Sequence, residues 1–313
     1  MKKRNGITRR DFLKRSSLAA VGGAVFMTKP ARAAADAPEA AGAPPANAAL
    51  QATGKTKVIL VRNKDVLDES GRPKTEVVSE MLDAALKELT GKADPASAWQ
   101  TFLKPDDIVG IKSNVINYLP TTTQVEAALK KGVMSAGVME SNIGIDDRGV
   151  LRNPIFQKAT ALVNARPMRS HHWSGVGSLI KNYIMFVPRA SDYHDDSCAR
   201  LATIWEMPLV KGKTRLNVLL MLTPQFHGVG PHNFNPKYVW SYYGLLVGFD
   251  PVACDATGLR IIEAKRRDFF AEERPLSPPA KHIVLADTQY HLGTADPKKI
   301  NLVKIGYDQD ILI

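Results

Sequence analysis

The densest set of reactive side chains is the run Ser170-His171-His172-Trp173-Ser174-Gly175-Val176-Gly177-Ser178-Leu179-Ile180-Lys181-Asn182. Gly175 and Gly177 let the backbone approach a ligand and offer N–H groups to an anion, with Asn182 beside them. Lys181 can then neutralise a phosphate or carboxylate, or form an imine. His171 and His172 point to opposite sides of an extended chain, so one of them, expected to be His172, faces the site. A tight turn around a satisfied histidine would need the same residues. A second group is Asp192-Tyr193-His194-Asp195-Asp196-Ser197-Cys198. A histidine between carboxylates suits a divalent metal or a general base, which makes His194 with His172 a candidate metal pair. Equally, Asp195 or Asp196 can cap a following helix. A third group, His227-Gly-Val-Gly-Pro-His232, spaces two histidines five apart in a Gly-rich loop.

These side chains need elements to hold them. Short apolar runs at Lys57–Val61, Asp107–Ile111, Ile143–Ile145, Ala161–Asn164, Leu216–Leu222 and His282–Leu285 read as strands. Thr75–Leu89 and Thr123–Lys131 read as amphipathic helices. Strands alternating with helices predict an α/β fold with a mostly parallel or mixed sheet and helices on both faces. The piece after Pro275-Leu-Ser-Pro-Pro279 reads as a small closing unit. Lys112 and Asn114 continue the second strand on a shared face, so both can reach one ligand. Asp250 and Pro251 start a helix on which Val252, Asp255, Leu259 and Ile262 form one stripe. Asp255 therefore sits on an apolar face. It needs a cation or several donors, or its pKa must rise. Lys112 or Lys181 is the expected partner, and His172, Lys181 and Asp255 are the expected catalytic set.

Taken in order, Val109-Gly-Ile-Lys-Ser-Asn114, the His172 to Lys181-Asn182 block, His194, Gly228-Val-Gly-Pro231 and Gly248-Phe-Asp-Pro-Val-Ala-Cys-Asp255 resemble the family catalogued as domain of unknown function 362, over roughly residues 57–265. The resemblance implies no settled activity. Many members add a domain with Cys-x-x-Cys runs; this chain has none, so no iron–sulfur cluster is expected. An acidic residue common before the Gly-Pro turn is replaced near Met221, which weakens any metal site built on it. A fainter similarity is to the N-terminal domain of nickel-pincer lactate racemases, with His172, Gly175, Gly177, Lys181 and His194 in the matching order. It points to a shared layout and not to racemase activity.

Near the start, Thr8-Arg9-Arg10-Asp11-Phe12-Leu13-Lys14, the apolar run Leu18–Met27 and Ala31-Arg32-Ala33 read as a twin-arginine signal over residues 1–33 with its cleavage site. An Ala- and Pro-rich tether (34–53) follows, then one α/β domain (54–313). This predicts a partner, the twin-arginine translocase, and a periplasmic or otherwise exported location. The leader holds nine of the 42 bases and one of the 31 acids, leaving 33 against 30. A net charge near +3 gives no basis for nucleic-acid binding. No stretch reaches the roughly 18 apolar residues a membrane span requires. Cys198 and Cys254 belong to no Cys-x-x-Cys pair; they form one disulfide or two free thiols. Three functions fit: an exported enzyme using a metal or organic cofactor on an anionic ligand, a non-catalytic envelope binding protein, or an assembly factor.

Overall fold

A computed structural model describes residues 54–230 and 234–313. The export signal, the tether and His232 lie outside these residues. The apolar runs at the first five predicted strand positions give β1 (Thr56–Arg62), β2 (Val109–Lys112), β3 (Ile143–Asp146), β4 (Ala161–His171) and, after the short β5 (Gly175–Gly177), β6 (Thr214–Gln225). Two more strands complete the sheet, β7 (Gly244–Gly248) and β8 (Ile300–Gly306). The order is β3-β2-β4-β6-β7-β1-β8, with β5 folded back against the end of β4. All pairings along that path are parallel except those of β7, which runs against both β6 and β1. The sheet is thus mixed and mostly parallel, as expected.

The pleat sends alternate side chains to two cores. Ile59, Val61, Val109, Ile111, Val163 and Val218 belong to one. It is closed by the apolar faces of α1 (Thr75–Thr90), α2 (Pro95–Gln100) and α3 (Thr123–Ser135). On the other face Val58, Leu60, Leu162, Leu219 and Leu246 belong to a core with α4 (Pro154–Lys158), α5 (Leu179–Asn182), α6 (Pro251–Phe270) and α7 (Lys281–Thr288). Helices therefore cover both faces. Asp250 starts α6 as its spacing implies: its carboxylate accepts from the Val252 and Ala253 N–H groups, and Pro251 follows.

Two expectations need correction. His282–Leu285 is not a strand but part of α7. Its four apolar residues are too few to separate the two periods, and the burial decides: His282, Ile283 and Ala286 are buried whereas Val284 is exposed, a helical stripe. The C-terminal piece is no separate closing unit either, because β8 pairs with β1 along its whole length, from Thr56–Ile300 to Arg62–Gly306. Among the described residues no helix is long and apolar enough to cross a membrane.

Candidate functional site: a buried cationic centre

On the α5/α6 face the sheet carries a polar row where the rest is apolar. Lys112, Asn164 and Asn217 stand in register on β2, β4 and β6. Asn164 Nδ2 donates to Asn217 Oδ1 at 3.2 Å and to the Leu179 carbonyl at 3.1 Å. Asn182 Nδ2 donates to Asn164 Oδ1 at 2.8 Å and to the Lys112 carbonyl at 3.1 Å. Through Asn182 the one-turn helix α5 is seated on the sheet. Lys112 and Asn114 both reach Asn182 Oδ1, at 3.3 and 3.4 Å, so they share a face as predicted.

Asp255 holds the other end of α5. It is fully buried on α6, and its carboxylate accepts from Ser178 Oγ at 2.6 Å and from the Leu179 and Ile180 N–H groups at 2.9 Å each. Ser178, the N-cap residue, makes no cap of its own. Asp255 supplies that cap from another helix. The expected lysine partner is therefore wrong: Asp255 meets its burial with donors. Desolvation exceeds those three bonds and pushes its pKa up to about 7. Lys112 instead forms an ion pair with Asp147 and donates to the Ser113 carbonyl at 2.7 Å. Burial brings Lys112 down to about 8, against the pull of Asp147.

Two residues that sequence reasoning did not single out complete the charge, Arg166 and Arg169 on β4. Arg169 donates to Asn114 Oδ1 at 2.6 Å and to the Ile116 and Leu119 carbonyls at 3.0 and 3.1 Å, which ties down the 114–119 loop. Arg166 is 2 % exposed and makes no hydrogen bond or ion pair among the described residues; its Nε is buried without a partner. Asp147, Asp255 and Cys198 act on it only through space, and desolvation lowers its pKa to about 10. Lys181 is 3 % exposed, and among the described residues its ammonium meets only the Cys198 thiol, at 3.5 Å. Desolvation brings Lys181 to about 8, with Arg166 adding to the shift. The centre thus buries four cations (Lys112, Arg166, Arg169, Lys181) with two carboxylates (Asp147, Asp255). An uncompensated buried charge costs several kcal/mol. A bound anion would offset that cost. The only sequence signal for Arg166 and Arg169 is two guanidinium groups inside an eleven-residue strand that is buried throughout.

A row of rings stands at the end of β4. His171 and His172 stack at 4.8 Å, and Trp173 stands between His172 at 4.1 Å and His194 at 3.8 Å. His171 and His172 do not diverge as expected, because β4 ends at His171 and the alternation stops there. His171 is the deeper of the two, 6 % exposed, and burial beside Lys181 and Arg166 pushes its pKa far down. Burial and Lys181 lower His194 to about 4 and His282 to about 3. These imidazoles are neutral at neutral pH. Cys198 Sγ lies 3.6 Å from the Trp173 carbonyl, so two contacts link Lys181 to the backbone of a residue that is exposed at the surface.

The glycines do less for a ligand than expected. Gly175 has φ +72°, and a Cβ there would stand 2.7 Å from the Pro278 carbonyl, so it serves a close chain crossing. A Cβ on Gly177 would stand 2.7 Å from the Arg166 guanidinium, so that glycine makes room for Arg166. Asp195 and Asp196 cap no following helix: Asp196, Ser197 and Cys198 form a left-handed turn (φ 47°, 57° and 62°), and Asp196 pairs with Lys281. His172 Nδ1 lies 3.2 Å from the Val229 carbonyl. Among the described residues no three His, Cys, Asp or Glu side chains converge as a metal site. His227 lies apart from the centre, against Arg266 at 3.1 Å. Cys198 and Cys254 are free thiols, both buried.

Residues 137–260 match the family model described as domain of unknown function (DUF362). Over that stretch, less than half of its length, the chain is similar to this family. The matched stretch holds Asp147, Arg166, Arg169, Lys181, His194 and Asp255, so most of the centre belongs to the DUF362 region; Lys112, Asn114 and His282 lie outside it. No curated protein and no solved structure matches the chain.

Proposed function

We propose that this protein is exported folded by the twin-arginine translocase and acts outside the cytoplasmic membrane on a small anionic ligand held by Arg166 and Lys181. One observation carries the reading: among the described residues a buried guanidinium has no acceptor, and a buried ammonium that feels its charge has a thiol as its one hydrogen-bond partner. A carboxylate or phosphate supplies the acceptors that Arg166 lacks, in the paired geometry a guanidinium fork favours. Asp255 and Asn182 position α5 and hence Lys181. His171, His194 and His282 stay neutral in this centre and can relay a proton from one ring nitrogen to the other, which favours an enzyme over a holding protein. A non-catalytic envelope binding protein would use the same cations and leave the three imidazoles without a task.

Calorimetric titration with inorganic phosphate and acetate tests the binding. Saturable, one-to-one binding lost in Arg166→Met is expected. Removing an unpaired buried charge leaves the ligand-free variant as stable as the parent or more so. Equal binding by parent and variant would remove the centre from consideration. For export, Lys replacements at Arg9 and Arg10 should retain the protein in the cytoplasm; undiminished export would refute that part.

A further inference from the structure

Lys181 is placed for covalent work. It lies on a one-turn helix held at both ends, by Asp255 at its start and by Asn182 on the sheet. Among the described residues its Nζ has no carboxylate within ion-pair distance, and its one hydrogen bond, to the Cys198 thiol at 3.5 Å, is weak. The other buried lysine, Lys112, is committed to Asp147 and shows what a structural lysine looks like here. Arg166, whose Nε is buried without a partner, and the imidazoles of His171, His194 and His282 all interact with Lys181 through space. Cys198 is the last of three consecutive left-handed residues, a conformation that persists only where the surroundings fix it.

We propose that Lys181 forms an imine with the carbonyl group of an oxo acid whose carboxylate is bound by Arg166. This rests on the anion-binding reading above and adds a covalent step. The neutral amine attacks the carbonyl carbon and a C–N bond forms. One amine proton passes to the oxygen through a neighbouring imidazole, giving a carbinolamine. Loss of water, with the second amine proton leaving on that oxygen, closes the C=N bond. Amine and oxo acid go in, imine and one water come out, and no oxidant or reductant is required. Protonation of the imine nitrogen makes the bound carbon an electron sink.

The test is reductive trapping on the full-length protein with pyruvate or glyoxylate and cyanoborohydride, read by intact mass and peptide mapping. The expected result is one adduct per chain, the mass of the acid less one oxygen, on the peptide containing Lys181 and absent from Lys181→Met. Arg166→Met should slow trapping of pyruvate by roughly tenfold or more relative to trapping of neutral propionaldehyde by the same variant, the loss of one charged hydrogen bond. Should Lys181→Met fail to fold, Lys181→Arg keeps the charge and must still show no adduct. Equal labelling of parent and Lys181→Met overturns the proposal. Oxamate, a shape-matched acid that forms no imine, separates the two readings. If oxamate binds in an Arg166-dependent way and nothing is trapped, the imine falls and the anion site stands. If oxamate does not bind either, both fall.

Discussion

Asp255 is an ionisable group that three donors hold where water does not reach. Asp255→Ala leaves the Ser178 hydroxyl and two backbone N–H groups without acceptors inside the core, so it should cost about 2–4 kcal/mol in denaturant unfolding. Asp255→Asn keeps an acceptor and should cost less. Its folded pKa, about 7, lies above the unfolded value near 3.8, so the folded state binds the extra proton between those values. The stability Asp255 contributes is complete below about 4 and is lost as pH rises through about 7, a slope Asp255→Asn should flatten. Lys181 gives the opposite kind of signal. Its charge is present below about 8, so anion affinity should hold up to that pH and fall above it; an affinity constant through pH 9 would show that Lys181 does not contribute. At this scale the sequence was half informative. The stripe Val252, Asp255, Leu259, Ile262 told that Asp255 is buried. It did not tell which donors meet it, because Ser178 to Ile180 come from a turn 75 to 77 residues away. Arg166 was missed because an arginine within a strand reads as an edge or surface residue until the sheet order puts it in the middle.

The elements rest on a few tight contacts. Asp250 caps α6 and also accepts from the Thr294 N–H at 2.9 Å, which anchors the loop before β8. Asp250→Ala should therefore lose about 1–2 kcal/mol for the cap and loosen that loop, seen as faster amide exchange around Thr294. Gly132 on α3 lies against the Trp99 indole, where an added Cβ would come within 2.1 Å. Gly132→Ala gains about 1 kcal/mol of helix propensity, but forcing the indole aside costs about 1–3 kcal/mol, and displacement of a ring this buried belongs at the upper end of that range. A net loss in melting temperature is expected. The long amphipathic helices were legible because sixteen and thirteen residues each show one clear stripe. The segment around His282 was not, since a four-residue apolar run fits either period. β7 and β8 escaped notice for related reasons: β7 is five residues long, and β8 lies at the sheet edge with most of its side chains only partly covered.

Across the whole molecule the two thiols offer a check on the packing. Both are fully buried and unpaired, in different surroundings: Cys198 beside Lys181, Cys254 near Gly248. Maleimide should label neither in the native protein and both after denaturation, with no change in mobility under reducing conditions; a disulfide in the purified protein would contradict this arrangement. The sheet order has a further consequence, for the timing of assembly. β1 is the first strand to be synthesised, yet its two neighbours, β7 and β8, lie about 190 and 245 residues downstream. Until residues 300–306 have emerged, the edge of β1 that β8 covers stays open, and the half of the sheet beyond β6 cannot close. A pairing of this span forms late, so the open edge of β1 is the part of the nascent sheet most exposed to wrong partners.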